Sequence, residues 1–263
     1  MGVAAKYNML NYLRSRRLYV LLIIGSAIGL LLTVVVAHYR PQTLLSSSLA
    51  FYSGWWGMSI TFVVILSAIF FGGDAISSEV ENKTGYFLVG QPIKRSEIYV
   101  GKWLGAIAAS LIAFFEFGLI TVANGVYYFG LHIPYQFGES IIFALVYLVS
   151  VMGVTFLFSS FFRSNSVSIL ITAILFLFAF TVIQDVVAGI ANIEPWFVIT
   201  YGAEIVVNVL NVPYPAHEIN TTRFGRIIHT YNPTIPEGVI IMLGYFVVAF
   251  VLGLVLFERR ELN

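Results

Sequence analysis

One dipeptide in this sequence hints at nucleotide chemistry: Gly101-Lys102, inside "VGKW" (Val100–Trp103). A phosphate-binding loop needs a Gly five residues before that Gly and a Ser or Thr after the Lys. Backbone N–H groups then cradle the phosphates and the hydroxyl meets magnesium. Ser96 and Trp103 stand at those places, so the chain is not expected to bind nucleotide. His38, His132, His217 and His229 form no His-x-x-x-His pair, and there is no Cys, so no metal site is expected. No Gly-x-Ser-x-Gly elbow marks a hydrolase, and no catalytic or cofactor-binding residue is assigned. Glu116, inside "AFFEFGLI", is the remaining chemical group of note. A carboxylate in mid-bilayer costs about 2.5–3.5 kcal/mol, so it should face other helices or a cavity. Two readings fit. It contacts a substrate or ion in a translocation path, or it is a protonated carboxyl bonded to a Ser, Thr or Tyr of a neighbouring helix. Gln184 and Asp185, at the end of an apolar run, read as headgroup-level polar residues rather than an exit lining.

The elements that hold these residues follow from composition. Of 263 residues, 59% are hydrophobic and 10% charged, against about 25% charged in a soluble domain. The apolar residues come in blocks, so the chain reads as an all-α polytopic membrane protein. Six blocks approach or exceed the roughly 20 residues that cross about 30 Å of hydrocarbon. They are Leu18–Ala37, Ala50–Phe71, Ile98–Tyr128, Ile141–Phe162, Val167–Ala188 and Val239–Phe257. The first is too long for a signal-peptide core and lacks a small-x-small cleavage site. The net charge of +1, with basic residues scattered at block ends, gives no reason to expect nucleic acid. Residues 1–263 read as one transmembrane domain.

Orientation follows from the basic residues. With both termini inside, the inner segments carry Lys6, Arg14, Arg16, Arg17, Lys83, Lys94, Arg95, Lys102, Arg163, Arg259 and Arg260, which is 11 of 14. The outer ones carry Arg40, Arg223 and Arg226. Residues 1–17 place Val3, Tyr7, Leu10 and Leu13 at helical spacing, with Lys6, Asn8, Asn11 and Ser15 opposite. This predicts a helix lying on the inner membrane surface. The outer segment, residues 189–238, holds "WFVITYGAEIVVNVLNV" (Trp196–Val212). A seventh span there would put Arg259 and Arg260 outside, so it reads as an interfacial or re-entrant helix on the bundle. Gly25/Gly29 and Gly101/Gly105 each form Gly-x-x-x-Gly, a weak signal of close helix approach.

Between the second and third blocks lies the polar stretch 72–97. Gly72 and Gly73 break the helix, Thr84–Val89 is an apolar patch, and Pro92 stops it. Lys94 and Arg95 then sit at headgroup level. The pattern predicts a short helix parallel to the membrane that binds another protein, or an anchoring loop whose basic residues touch lipid heads. Tyr86, Phe87 and Leu88 would form its apolar tip, with Glu79, Glu81, Lys94 and Arg95 fixing its angle.

"ISSEVENKTGYFLVGQPIKRSEIYVGKWLGA" (Ile76–Ala106) resembles the first cytoplasmic loop of type-2 ABC-transporter permeases. Ile76, Glu79, Thr84, Pro92, Ile93, Arg95, Gly101 and Lys102 stand at the family's spacings, and the closing "FERREL" is similar to its ending. The chain departs at Lys83, where the family usually has Gly. The resemblance implies a coupling helix seated in a separate ATP-binding subunit, present in two copies and holding the ATP and magnesium. It also implies a second permease chain, identical or related, and a multi-pass place in the plasma membrane of a prokaryote. Export is the expected direction. The other class of reading is a polytopic anchor that docks a soluble complex without transport. Lipids, drugs, peptides and polymers fit an apolar pathway about equally.

Overall fold

A computed structural model describes residues 2–82, 94–223 and 226–259. Its elements in chain order are α1 (Gly2–Leu13), α2 (Arg16–Tyr39), α3 (Ser48–Gly72), α4 (Ser77–Glu81), α5 (Arg95–Phe129), α6 (Tyr135–Phe161) and α7 (Asn165–Gly189). The short α8 (Ile199–Ala203) and α9 (Ile205–Asn208), the strands β1 (Glu218–Arg223) and β2 (Arg226–Tyr231), and α10 (Ile235–Arg259) follow. Among the described residues, six helices are long and apolar enough to cross a membrane: α2, α3, α5, α6, α7 and α10. They are the six blocks expected, extended by a few residues at most ends. The chain is a multi-pass helical membrane protein.

Local chemistry sets the ends. Ser15 and Ser47 cap α2 and α3 by accepting from the N–H groups of Leu18 and Ala50. Gly130, at φ 66°, closes α5, and Pro134 precedes α6. At 35 residues α5 is about 52 Å long. It outruns the hydrocarbon by about 20 Å, as the long third block implies.

The core is α3, α5 and α6. Trp56 of α3 packs against Phe114 and Phe117 of α5 and Phe137 of α6. Its indole N–H donates to Ser140 Oγ (3.0 Å), whose hydroxyl donates to Val206 O of α9 (2.5 Å). Around this core, α10 lies along α6 and α2 along α5. The α2–α5 approach runs through Gly25 and Gly29. A Cβ at Gly25 would come within 2.9 Å of a Glu116 oxygen, and one at Gly29 within 2.7 Å of Ile120. Gly105 likewise admits Asn8 of α1. Both Gly-x-x-x-Gly pairs therefore include a real close approach.

The all-α architecture carries one addition, and two expectations need correction. The addition is a hairpin, in which β1 and β2 pair antiparallel from Glu218↔Tyr231 to Arg223↔Arg226. The β-branched Ile219, Thr221, Thr222, Ile227, Ile228 and Thr230 favour extended backbone there. Asn8, expected on the far side of α1, packs on Gly105 while Leu10 stays exposed. Small residues on both sides make the tighter joint. The Trp196–Val212 piece is two short helices rather than one, folded against α3, α6 and α10 with Ile199, Tyr201, Ile205 and Val206 buried.

Candidate functional site

With six spans, α2, α5 and α7 begin at the same end at which α3, α6 and α10 finish. Most of the basic residues cluster at this end. The C-terminus of α3 is buried here, and a buried helix end leaves carbonyl groups that need partners. Side chains from three other elements supply them, and a side chain from a fourth meets the N–H groups that follow. Tyr12 of α1 donates to Phe71 O (2.9 Å), and Ser168 of α7 donates to Gly73 O. Lys102 of α5 donates to Ala75 O (2.8 Å). Ser159 of α6 accepts from the N–H groups of Ile76 (2.8 Å) and Ser77 (3.0 Å). Burial, with the nearby charge of Asp74, pushes the Tyr12 hydroxyl well above its usual range, so it stays a donor.

Charge completes the knot. Arg17 pairs with Asp74 (2.6 Å), whose side chain is 6% exposed. Lys102 pairs with Glu79 (2.5 Å). Lys102, counted in the sequence among the inner basic residues, is only 7% exposed. Its ammonium instead serves the end of α3, where a cation also opposes the helix dipole. The Gly101-Lys102 dipeptide lies inside α5, so it is part of no phosphate loop.

The stretch 72–82 is thus embedded, not the open loop the polar sequence suggests. Its exposed end is tied too. Glu81 accepts from the N–H of Asn165 (2.5 Å), the first residue of α7, and Ser77 donates to the Asn165 side chain (3.0 Å). On the other flank Lys94 is exposed at the start of α5, and Arg95 donates to Glu258 O of α10 (2.9 Å). Thr84, Tyr86, Phe87, Leu88 and Pro92 lie outside the described residues. Of the predicted loop residues, the structure places Glu79, Glu81 and Arg95 as fastenings at either side of 83–93.

A family model described as "ABC-2 family transporter protein" matches residues 3–262. The chain belongs to the ABC-2 transporter family. No curated protein sequence matches it. As an ABC-2 protein it is a permease, the membrane subunit of an ABC transporter, and it associates with an ABC ATP-binding subunit.

Two further places in this ABC-2 permease hold ionisable groups. In mid-span, Glu116 faces α2, where Ser26 donates to its Oε1. Its Oε2 is buried with no hydrogen-bond partner. The side chain lines an open groove of about 620 Å³ with Ser26, Leu111, Ile112, Phe115 and Ile120. The Ser partner matches one expectation and the groove the other.

At the opposite end, Gln184 bridges Glu204 and Thr200 and so fastens residues 199–208 to α7. Burial pushes Glu204 up to about 7, against the hydrogen bond from Gln184, with the charge of Asp185 adding a smaller upward push. Nearby, Tyr201 donates to Glu194 (2.6 Å). Burial would raise Glu194. The hydrogen bonds from Tyr201 and Glu237 and the proximity of His217 outweigh that and hold it below its usual range.

Proposed function

We propose that this permease is one of two chains, identical or related, that form the pathway of an exporter in a prokaryotic plasma membrane, with both termini inside. Two ATP-binding subunits, carrying the ATP and magnesium, engage residues 83–93. Their closure moves that segment, and the knot passes the motion to the spans. The observation that carries this reading is the double fastening of 83–93. One flank is bonded to α5, α6 and α7, and the other to α10. Force applied to a segment held this way reaches four spans instead of being lost in a slack loop. Residues 1–263 act as a single domain, and α1, lying on the inner membrane surface against α5, shares in the transmission. Glu116 lies on the pathway, because its side chain lines a groove in mid-span and keeps one oxygen without a hydrogen-bond partner.

Reconstitution tests this. The chain alone neither binds nor hydrolyses ATP. With its ATP-binding subunit in vesicles it moves substrate only when ATP is turned over. Specific ATP binding to the isolated chain, abolished by a point substitution within it, contradicts the reading. The wild type has no Cys, so Lys94→Cys and Ala191→Cys report orientation directly. Position 94 should react from inside only and position 191 from outside only.

A further inference from the structure

Glu194, His217 and Glu237 are far apart in sequence and meet at the end of the molecule opposite the knot. They come from the loop after α7, the arm before β1 and the first turn of α10. One ligand atom from each lies within 4.8 Å of the others. Each is fixed from outside the trio. Tyr201, fully buried, donates to Glu194 Oε1 (2.6 Å). The N–H of Thr234 donates to Glu237 Oε2 (3.2 Å). His217 places Nδ1 against Asn232 O at 2.8 Å. The arm is pinned by Asn232, whose N–H donates to His217 O and whose side chain donates to Ala216 O, both 2.8 Å.

The His217 contact sets the chemistry. A carbonyl oxygen can only accept, so Nδ1 carries the proton. In the neutral ring the lone pair is then on Nε2, which points at Glu194 Oε1 at 3.5 Å. Two carboxyl groups and an imidazole lone pair converge, and a cation placed among them could take an electron pair from each. An imidazole whose outer N–H is held by a backbone carbonyl, with its inner nitrogen among carboxylates, is how metal-ligating histidines are oriented. Zinc–ligand bonds of about 2.0–2.2 Å at tetrahedral angles put neighbouring ligand atoms about 3.4 Å apart; His217 Nε2 and Glu194 Oε1 already stand at 3.5 Å, and an ion would draw the Glu237 carboxyl in from within 4.8 Å.

We propose that Glu194, His217 and Glu237 form a binding site for a divalent transition-metal ion of the zinc or cobalt kind. An N/O ligand set with one imidazole suits these ions better than magnesium. Three protein ligands leave a fourth position for water. The ion joins the loop, the arm and the start of α10. The site does not depend on the transport reading, since it lies at the other end from the ATPase-facing segment.

The test uses the full-length chain, purified in detergent through a tag without histidine and stripped with chelator. Zinc or cobalt is then titrated in the presence of excess magnesium. The expected result is one saturable equivalent, a cobalt absorption spectrum of low-coordinate character, and a raised unfolding temperature. His217→Ala abolishes all three, and Glu194→Gln and Glu237→Gln each weaken binding at least tenfold. Zinc also protects His217 from chemical modification in the wild-type chain, a readout that needs no variant. No saturable binding up to millimolar metal, or equal binding by wild type and all three variants, overturns the site.

Discussion

Lys102 and Glu116 stand on the same helix, about 21 Å apart along its axis, and they meet burial in different ways. Lys102 has a carboxylate and a carbonyl within 2.8 Å. Glu116 has one hydroxyl for one oxygen and nothing for the other. A buried ion with its countercharge and a carbonyl in hydrogen-bond contact is a fastening, and losing either charged partner strands the other. A buried carboxyl with one oxygen unmet, beside a groove, has bonding capacity left for something else. Position on the helix is a poor guide to role here. The completeness of the hydrogen bonding separates the two.

Four substitutions break or sharpen this contrast. The largest effect is expected for Lys102→Met. It leaves Glu79 without its cation and Ala75 O without a donor, so it should destabilise the chain by about 3–5 kcal/mol. Thermal unfolding in detergent should show it, and adding Glu79→Leu should recover part of the loss. Next is Gly25→Leu, which drives a side chain into Glu116. Overpacking of this kind costs about 1–3 kcal/mol, read as a lower unfolding temperature and a loosened α2.

Glu116→Gln should move stability by less than about 1 kcal/mol, since an amide keeps the acceptor for Ser26. Reconstituted transport should nonetheless fall about tenfold or more. If Glu116→Gln matches Lys102→Met in instability and leaves transport intact, the contrast fails. At acid pH the smallest effect is expected for Glu204→Gln, because the carboxyl is then neutral like the amide. Glu204 titrates near 7 when folded, above its ordinary 4.5. The unfolded chain therefore loses that proton first. Its contribution is complete below pH 4.5, declines as pH rises toward about 7, and is gone above that. The wild type should lose unfolding temperature across this window, and Glu204→Gln should flatten the slope.

Much of this was legible in the sequence. Apolar runs of some 20 residues locate all six spans, because lipid demands such runs. The Gly25/Gly29 pair marks the α2–α5 contact. What was hidden depends on long-range pairing. Lys102 reads as one more headgroup cation because the sequence does not show that α3 ends beside it. Ser159 and Asn165 carry no signal of their own, since a hydroxyl in a span and an amide at a helix start are ordinary. The hairpin is spelled only by scattered β-branched residues, which a membrane-span reading passes over. Glu194, His217 and Glu237 have no ligand spacing because a loop, an arm and a helix start must fold before they meet.

The central claim is that residues 83–93, held at both flanks, receive the motion of the ATP-binding subunit. In that proposal Tyr86, Phe87 and Leu88 make the apolar contact, and buried aromatic anchors commonly cost about 2 kcal/mol or more when truncated. The direct test is Tyr86, Phe87 and Leu88 all changed to Ala, with co-purification of the ATP-binding subunit and ATP-driven transport measured together. The account predicts normal insertion and unfolding temperature, with subunit capture lost or ATP turnover uncoupled from transport. Full capture and fully coupled transport by the triple variant would contradict it.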